Sequence, residues 1–203
     1  MSQQGRWSGF YKANDGRGVR PFFLRLMELY PEHVNGLQAV DLGCGDGEES
    51  YELAKRGWRV LAIDYQAEAL DRLFAKVPSS LMPMVEMREI SFENPSLTLP
   101  PADLVFASYS LPFCSPKRFP DLWERIRASV KPGGRFAGQL FGVNDAWAAG
   151  NQETMTFHTT ETAKVLFDSW IIEYFDEFEG ENPTATQGIK HWHKFDIIAQ
   201  RGT

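Results

Sequence analysis

Cysteine is scarce in this chain: of 203 residues only Cys44 and Cys114 are cysteines. Two thiols cannot build a disulfide framework or a four-cysteine metal site. Long apolar runs are missing too, since each meets a charge within a handful of residues. Nothing approaches the roughly 20 apolar residues that a membrane-spanning helix requires. Nor does Met1–Arg6 lead into an apolar signal segment, so the expected location is the cytoplasm. Basic charge is also short, with 21 Lys+Arg against 27 Asp+Glu and a net charge of −6. Residues 1–36 carry 5 basic and 3 acidic side chains, whereas residues 145–203 carry 4 and 10. A protein that tracks a phosphate backbone shows a basic stripe, and none is visible. Nucleic acid is therefore disfavoured as a partner, and a small or cationic substrate is easier to accept.

What is present is alternation. There is no repeat, low-complexity tract or Gly/Ser linker, and the length suits a single domain over 1–203. After an aromatic leader (Trp7, Phe10, Tyr11), residues 20–30 space Phe22, Phe23, Leu26, Leu29 and Tyr30 as on a helix. Leu37–Leu42 reads as a strand, followed by a glycine turn and a helix to about Arg56. Trp58–Asp64 is a second strand. Leu70, Leu73, Phe74 and Val77 then mark a helix that stops before Pro78. Further strands are expected at Met82–Ile90, Ala102–Tyr109 and Arg135–Phe141. A helix through Phe119, Trp123 and Ile126 ends at Lys131-Pro132-Gly133-Gly134. Thr160–Ser169 reads as a last helix, before strands at about Trp170–Glu179 and Ile189–Arg201. Strands alternating with helices imply parallel βαβ units, and two successive strands imply a closing antiparallel hairpin. The predicted fold is an α/β sandwich with a mostly parallel sheet.

Val40-Asp41-Leu42-Gly43-Cys44-Gly45-Asp46-Gly47 stands at the carboxyl end of the first strand, where open α/β sheets bind ligands. The bland reading is a plain glycine turn. The nearest functional competitor is a dinucleotide fingerprint, G-x-G-x-x-G, whose third glycine position is filled here by Glu48. Asp46, Glu48 and Glu49 crowd the helix start where a pyrophosphate would sit, and they would repel it. A ligand without phosphates, or one carrying positive charge, is tolerated. Asp64 closes the second strand, 21 residues after Gly43. Alone it is as readily a turn cap, but coupled to the glycine turn it can accept hydrogen bonds from both hydroxyls of a ribose.

These segments, with Ala102-Asp103-Leu104-Val105 and Val130–Phe136, resemble the class I S-adenosylmethionine-dependent methyltransferases in order and spacing over about residues 37–141. The narrower likeness is to small bacterial tellurite-resistance-type, small-molecule enzymes. The resemblance implies a Rossmann-like three-layer sandwich with a seven-stranded, mostly parallel sheet and a C-terminal antiparallel hairpin. It divides the domain into a lid and helix (1–36), a cofactor-binding core (37–141) and a C-terminal helix and hairpin (142–203). It implies S-adenosylmethionine as cofactor. Asp41, Gly43 and Gly45, with Cys44, would hold its methionine end, and Asp64 with Tyr65 its ribose. Family members often place Asp against the adenine after the third strand; here Arg88–Glu93 holds none, and Ser91 and Phe92 are the candidates. Ala107, Ser108 and Tyr109 match the place where methyl donor and acceptor meet.

Methyl transfer from a sulfonium starts from an activated cofactor, so the protein's task is chiefly alignment. No nucleophilic triad or metal cluster is required. Aromatic faces suit a cation. Tyr11, Tyr109, Phe113 and Trp147 are the substrate-pocket candidates, Tyr109 also the one catalytic candidate, although any single aromatic is more often core packing. Arg17 or Arg20 could pair a carboxylate, but a solvated surface arginine is the default for either. His191-Trp192-His193 places two histidines on one strand face; without a third ligand, packing is preferred to metal. His158 as a base has no local support, Cys114 is read as a buried bystander, and Asp176–Glu181 as a solvated strand face. Three alternatives stay open: a protein or RNA methyltransferase, an NAD(P)-dependent oxidoreductase, and a non-catalytic S-adenosylmethionine-binding protein.

Overall fold

The computed structural model describes residues 3–202, with side chains from Trp7 onward. Helices α1 (Gln3–Ala13) and α2 (Pro21–Met27) precede β1 (Gln38–Leu42), α3 (Glu48–Lys55), β2 (Arg59–Asp64) and α4 (Ala67–Lys76). Then follow β3 (Val85–Glu89), β4 (Ala102–Ala107), α5 (Phe119–Ser129), β5 (Val130–Gly142), β6 (Phe157–His158), α6 (Thr160–Val165), β7 (Trp170–Pro183) and β8 (Ile189–Arg201). The sheet runs β3-β2-β1-β4-β5-β8-β7, with the two-residue β6 paired to β5 outside that path. Strands β1 to β6 pair in parallel, and β8 lies antiparallel to both β5 and β7. Strand order reverses between β1 and β4, which sets a ligand crevice at their carboxyl ends.

Alternate residues of the central strands feed two cores, as a period of two requires when both faces are covered. Val40, Leu42, Leu61, Ile63 and Val105 face α5, where Leu122, Trp123 and Ile126 pack. Ala39, Val60, Ala62, Leu104 and Phe106 face α2, α3 and α4 through Phe23, Leu26, Leu53 and Leu73. The layers are helix, sheet, helix, as expected. Among the described residues no helix is long and apolar enough to cross a membrane.

Four local expectations are corrected. Met82–Met84 is a single 3₁₀ turn and only Val85–Glu89 is strand, because Pro83 cannot donate to a ladder. Lys131–Gly134 does not separate α5 from a later strand but is looped out within β5. Ala102 pairs with Val130, and Leu104 already with Arg135. Gly133, at φ 75°, permits that detour. On α4, Leu73 is fully buried while Phe74 is 63% exposed. One residue is a 100° step, which carries Phe74 off the stripe that Leu70, Leu73 and Val77 share. The last helix is also shorter than expected, a six-residue segment opened by a Thr159/Thr162 capping box.

Candidate active site

A cavity of about 340 Å³ lies at the strand ends, bounded below by the turn after β1 and the ends of β2 and β4. Gly43 is the pivot of that turn. Its φ is +73°, and a Cβ there would lie 2.4 Å from the Ser110 Cβ, so only glycine fits. The Gly43 and Cys44 N–H groups both donate to the Ile63 carbonyl, at 2.7 and 3.0 Å. Gly45 N–H donates to Asp64 Oδ2 at 3.0 Å, and Gln66 N–H to Asp64 Oδ1 at 2.9 Å. Each oxygen of Asp64 retains acceptor capacity. Burial pushes the Asp64 carboxyl upward despite those donors.

Asp41 lies deeper. It is buried and accepts the Ser50 hydroxyl at 2.6 Å. Burial, only partly offset by that bond, raises its carboxyl to about 7. A ligand ammonium beside it would return it to the charged form. Asp41, Asp46, Glu49 and Asp64 all line this end of the cavity, which is a hostile setting for a diphosphate. A nucleoside with a cationic amino-acid tail fits: a ribose acceptor, a buried acid and an open glycine turn face one space.

The arginines overturn the surface expectation. Arg17 grips Glu49 with two bonds of 2.9 Å; burial lowers its guanidinium, but that carboxylate more than offsets it and leaves it raised. Arg20 is half-buried, lines the cavity and lies 5.1 Å from the Tyr109 ring centroid. Desolvation lowers it, and its nearest carboxylate, Glu49, is 3.9 Å away.

The other end of the cavity is aromatic. Tyr109 has φ 53°, an uncommon conformation for a bulky residue. Its N–H donates to the buried Gln139 Oε1 at 3.1 Å. Phe113, Phe141, Trp147 and Trp192 continue the wall. The roof comes from α1, through Trp7, Phe10 and Tyr11, and from the β7–β8 tip at Pro183–Gln187. Trp7 packs edge-on against Phe113 at 5.0 Å, so the leader closes onto the body.

Of the residues singled out from sequence, Asp41, Gly43, Cys44, Gly45, Asp64, Tyr65, Phe92 and Ser108 share this cavity, as do Tyr11, Tyr109, Phe113 and Trp147. Ser91 and Ala107 lie outside its lining: Ser91 Oγ accepts the Glu93 N–H, and Ala107 is fully buried in the sheet. His158, lowered to about 4 by burial, also lies outside the lining, and His193 packs beside Gly142. Cys114 is buried and its thiol is pushed up to about 12. Sequence reasoning missed Trp192 and the hairpin tip. Trp192 alternates with His191 and His193, and that period of two was a usable signal. The length of the hairpin carried none.

The reversed strand order, the acid-rimmed glycine turn and the closing antiparallel pair are those of the class I S-adenosylmethionine-dependent methyltransferases, and the matches to known proteins support that class for this chain. Residues 39–134 match the family model described as a methyltransferase domain. The ubiquinone biosynthesis O-methyltransferase of Leptothrix cholodnii is 31% identical over 121 residues, covering 57% of this chain and 49% of that protein. TehB from Haemophilus influenzae shares the fold, with a TM-score of 0.73 at 13% identity, covering 90% of this chain and 62% of that one. An S-adenosylmethionine-dependent methyltransferase from Methanosarcina mazei gives 0.66 at 21% identity over 91% and 99% of the two chains. The chain spans about half the length, or less, of the curated relatives it matches.

Proposed function

We propose that this protein transfers the methyl group of S-adenosylmethionine to a small-molecule acceptor. The observation that carries the reading is the pairing of Asp64 with Gly45 across the β1 turn, in a cavity end rimmed by four carboxylates. That end suits a nucleoside bearing a cation and resists one bearing a diphosphate. Asp64 holds the ribose hydroxyls, Asp41 the ammonium and Arg20 the carboxylate of the methionine tail. Phe92, the lining residue next to β3, lies against the adenine. S-adenosylmethionine supplies a methyl group already activated on sulfur. Tyr109 and Ser108 orient the acceptor beside it, and the aromatic roof excludes water, so the rate gain is chiefly alignment. Residues 7–17 and 183–187 act as the lid of a single domain. Two unpaired, buried thiols support a cytoplasmic setting.

Titration calorimetry tests the cofactor assignment. S-adenosylmethionine and S-adenosylhomocysteine bind, and NAD and NADP do not. Labelled-methyl transfer is then followed over small-molecule, peptide and RNA pools. Binding of NADP alone returns the oxidoreductase reading, and label on peptide or RNA but on no small molecule overturns the acceptor class.

A further inference from the structure

We propose that the acceptor is a planar, electron-rich aromatic ring carrying a hydroxyl group, seated against Trp147, Trp192, Phe113 and Phe141. This rests on the methyltransferase reading above and names its substrate class. The four rings form a continuous wall. Phe113–Trp147 centroids are 6.1 Å apart, Trp147–Trp192 5.7 Å and Trp192–Phe141 5.7 Å, all tilted or edge-on. Such a wall presents both faces and edges to a flat guest, the offset and T-shaped geometries that aromatic pairs favour.

Charge selects among flat guests. Behind the wall the buried Lys190 is paired with Asp145, and its Nζ lies 3.5 Å from the Trp147 centroid and 3.9 Å from that of Trp192. Lys190 itself does not line the cavity. The indoles therefore already carry a cation, which draws their π density away from the cavity side. An electron-rich ring stacks well on such indoles, and a cationic amine meets like charge through them. Every carboxylate lining the cavity belongs to the opposite, cofactor end. This reverses the cationic preference that net charge alone suggests.

A hydroxyl has a place to go. Ser108 lines the cavity, and its buried Oγ has no hydrogen-bond partner among the described residues. It stands next to Tyr109 where the two halves of the cavity meet. There the phenol oxygen forms a bond to the methyl carbon as the carbon–sulfur bond breaks. The electron pair of that bond stays on sulfur, and the hydroxyl proton is given up to bulk solvent outside the roof, so that the acceptor reacts as its phenolate.

The test compares 2-naphthol with its saturated counterpart decahydro-2-naphthol, each titrated into the full chain holding S-adenosylhomocysteine. The expected result is at least tenfold tighter binding of 2-naphthol, lost at least tenfold in Trp192→Leu and in Trp147→Leu. S-adenosylhomocysteine affinity stays within twofold in both variants. Trp192→Phe, which keeps a ring, recovers most of the binding and guards against a folding defect. Equal affinity for the flat and puckered alcohols, or no binding of 2-naphthol, overturns the proposal. So does full affinity in Trp192→Leu and Trp147→Leu. If 2-naphthol binds as expected but S-adenosylhomocysteine does not, the acceptor pocket stands and the methyltransferase reading falls.

Discussion

Asp64 Oδ2 accepts the Gly45 N–H at 3.0 Å, so the carboxylate closing β2 also holds the turn that follows β1. On the proposed reading, ligand grip and turn geometry are joined in one side chain. Asp64→Ala therefore does two things. It removes two charge-assisted hydrogen bonds to a ribose, each about 1.5 kcal/mol, and so weakens S-adenosylmethionine roughly 100-fold. It also strands two backbone donors, the Gly45 and Gln66 N–H groups, at about 1–3 kcal/mol of stability each. Asp64→Asn keeps an acceptor for Gly45 and recovers most of the melting temperature without recovering affinity. Calorimetry and thermal melts on both variants separate the effects; unchanged affinity in folded Asp64→Ala removes the ribose role.

Asp41, as proposed to face the cofactor ammonium, should make cofactor binding proton-linked. Its folded value of about 7 lies above its ordinary 3.8. A raised carboxyl contributes stability fully below about pH 4 and loses it as pH rises through 7. A bound ammonium stabilises the ionised form, so binding at pH 6 expels a proton. Titrations at pH 6 in two buffers of different ionisation enthalpy should report release approaching one proton, and Asp41→Asn should abolish it. Equal heats in both buffers for the wild type would exclude the assignment.

Gly43→Ala probes the pivot. Its φ of +73° and the 2.4 Å approach to Ser110 Cβ leave no room for a methyl group. The expected cost is about 2 kcal/mol or more, with loss of cofactor binding. Gly133 makes the contrast: φ is also positive, yet nothing lies within 4 Å of its Cβ position. Gly133→Ala should cost only its backbone strain, about 1 kcal/mol, and leave affinity intact.

Lys190 and Asp145 are a buried pair with one role in stability and another in the wall. Asp145 also accepts the Trp147 and His193 N–H groups, at 2.9 and 3.2 Å. Lys190→Met leaves a buried carboxylate without its cation, at about 3–5 kcal/mol. Asp145→Asn/Lys190→Met together should regain part of that loss. Denaturant melts of the single and double variants give the coupling, and additive losses would show the pair is not coupled.

The parallel half of the fold was legible because its signals are local. Gly43-Cys44-Gly45 sets a turn, Asp64 ends a strand, and the apolar runs of β1, β2 and β4 are those of strands covered on both faces. The roof was less so. That Trp7, Phe10 and Tyr11 come to the cavity was readable from the aromatic leader, but Trp192 and Pro183–Gln187 reach it only because the β7–β8 ladder continues to Pro183 and Ile189. Ladder length depends on cross-strand partners far away in sequence. The fate of Arg17 and Arg20 was hidden for the same reason: Glu49, which buries them, lies on α3, about 30 residues on.

The β7–β8 hairpin tip has a further meaning. The cavity end holding Asp41 and Asp64 is built on the inner strands, whereas part of the proposed acceptor end hangs from an outer hairpin whose strand β7 pairs with β8 alone. Exchanging the five residues between β7 and β8, Thr184–Gly188, would reshape the choice of guest while the methyl-donor seat stays as it is. The scaffold thus offers a plug-in handle for retargeting alkylation.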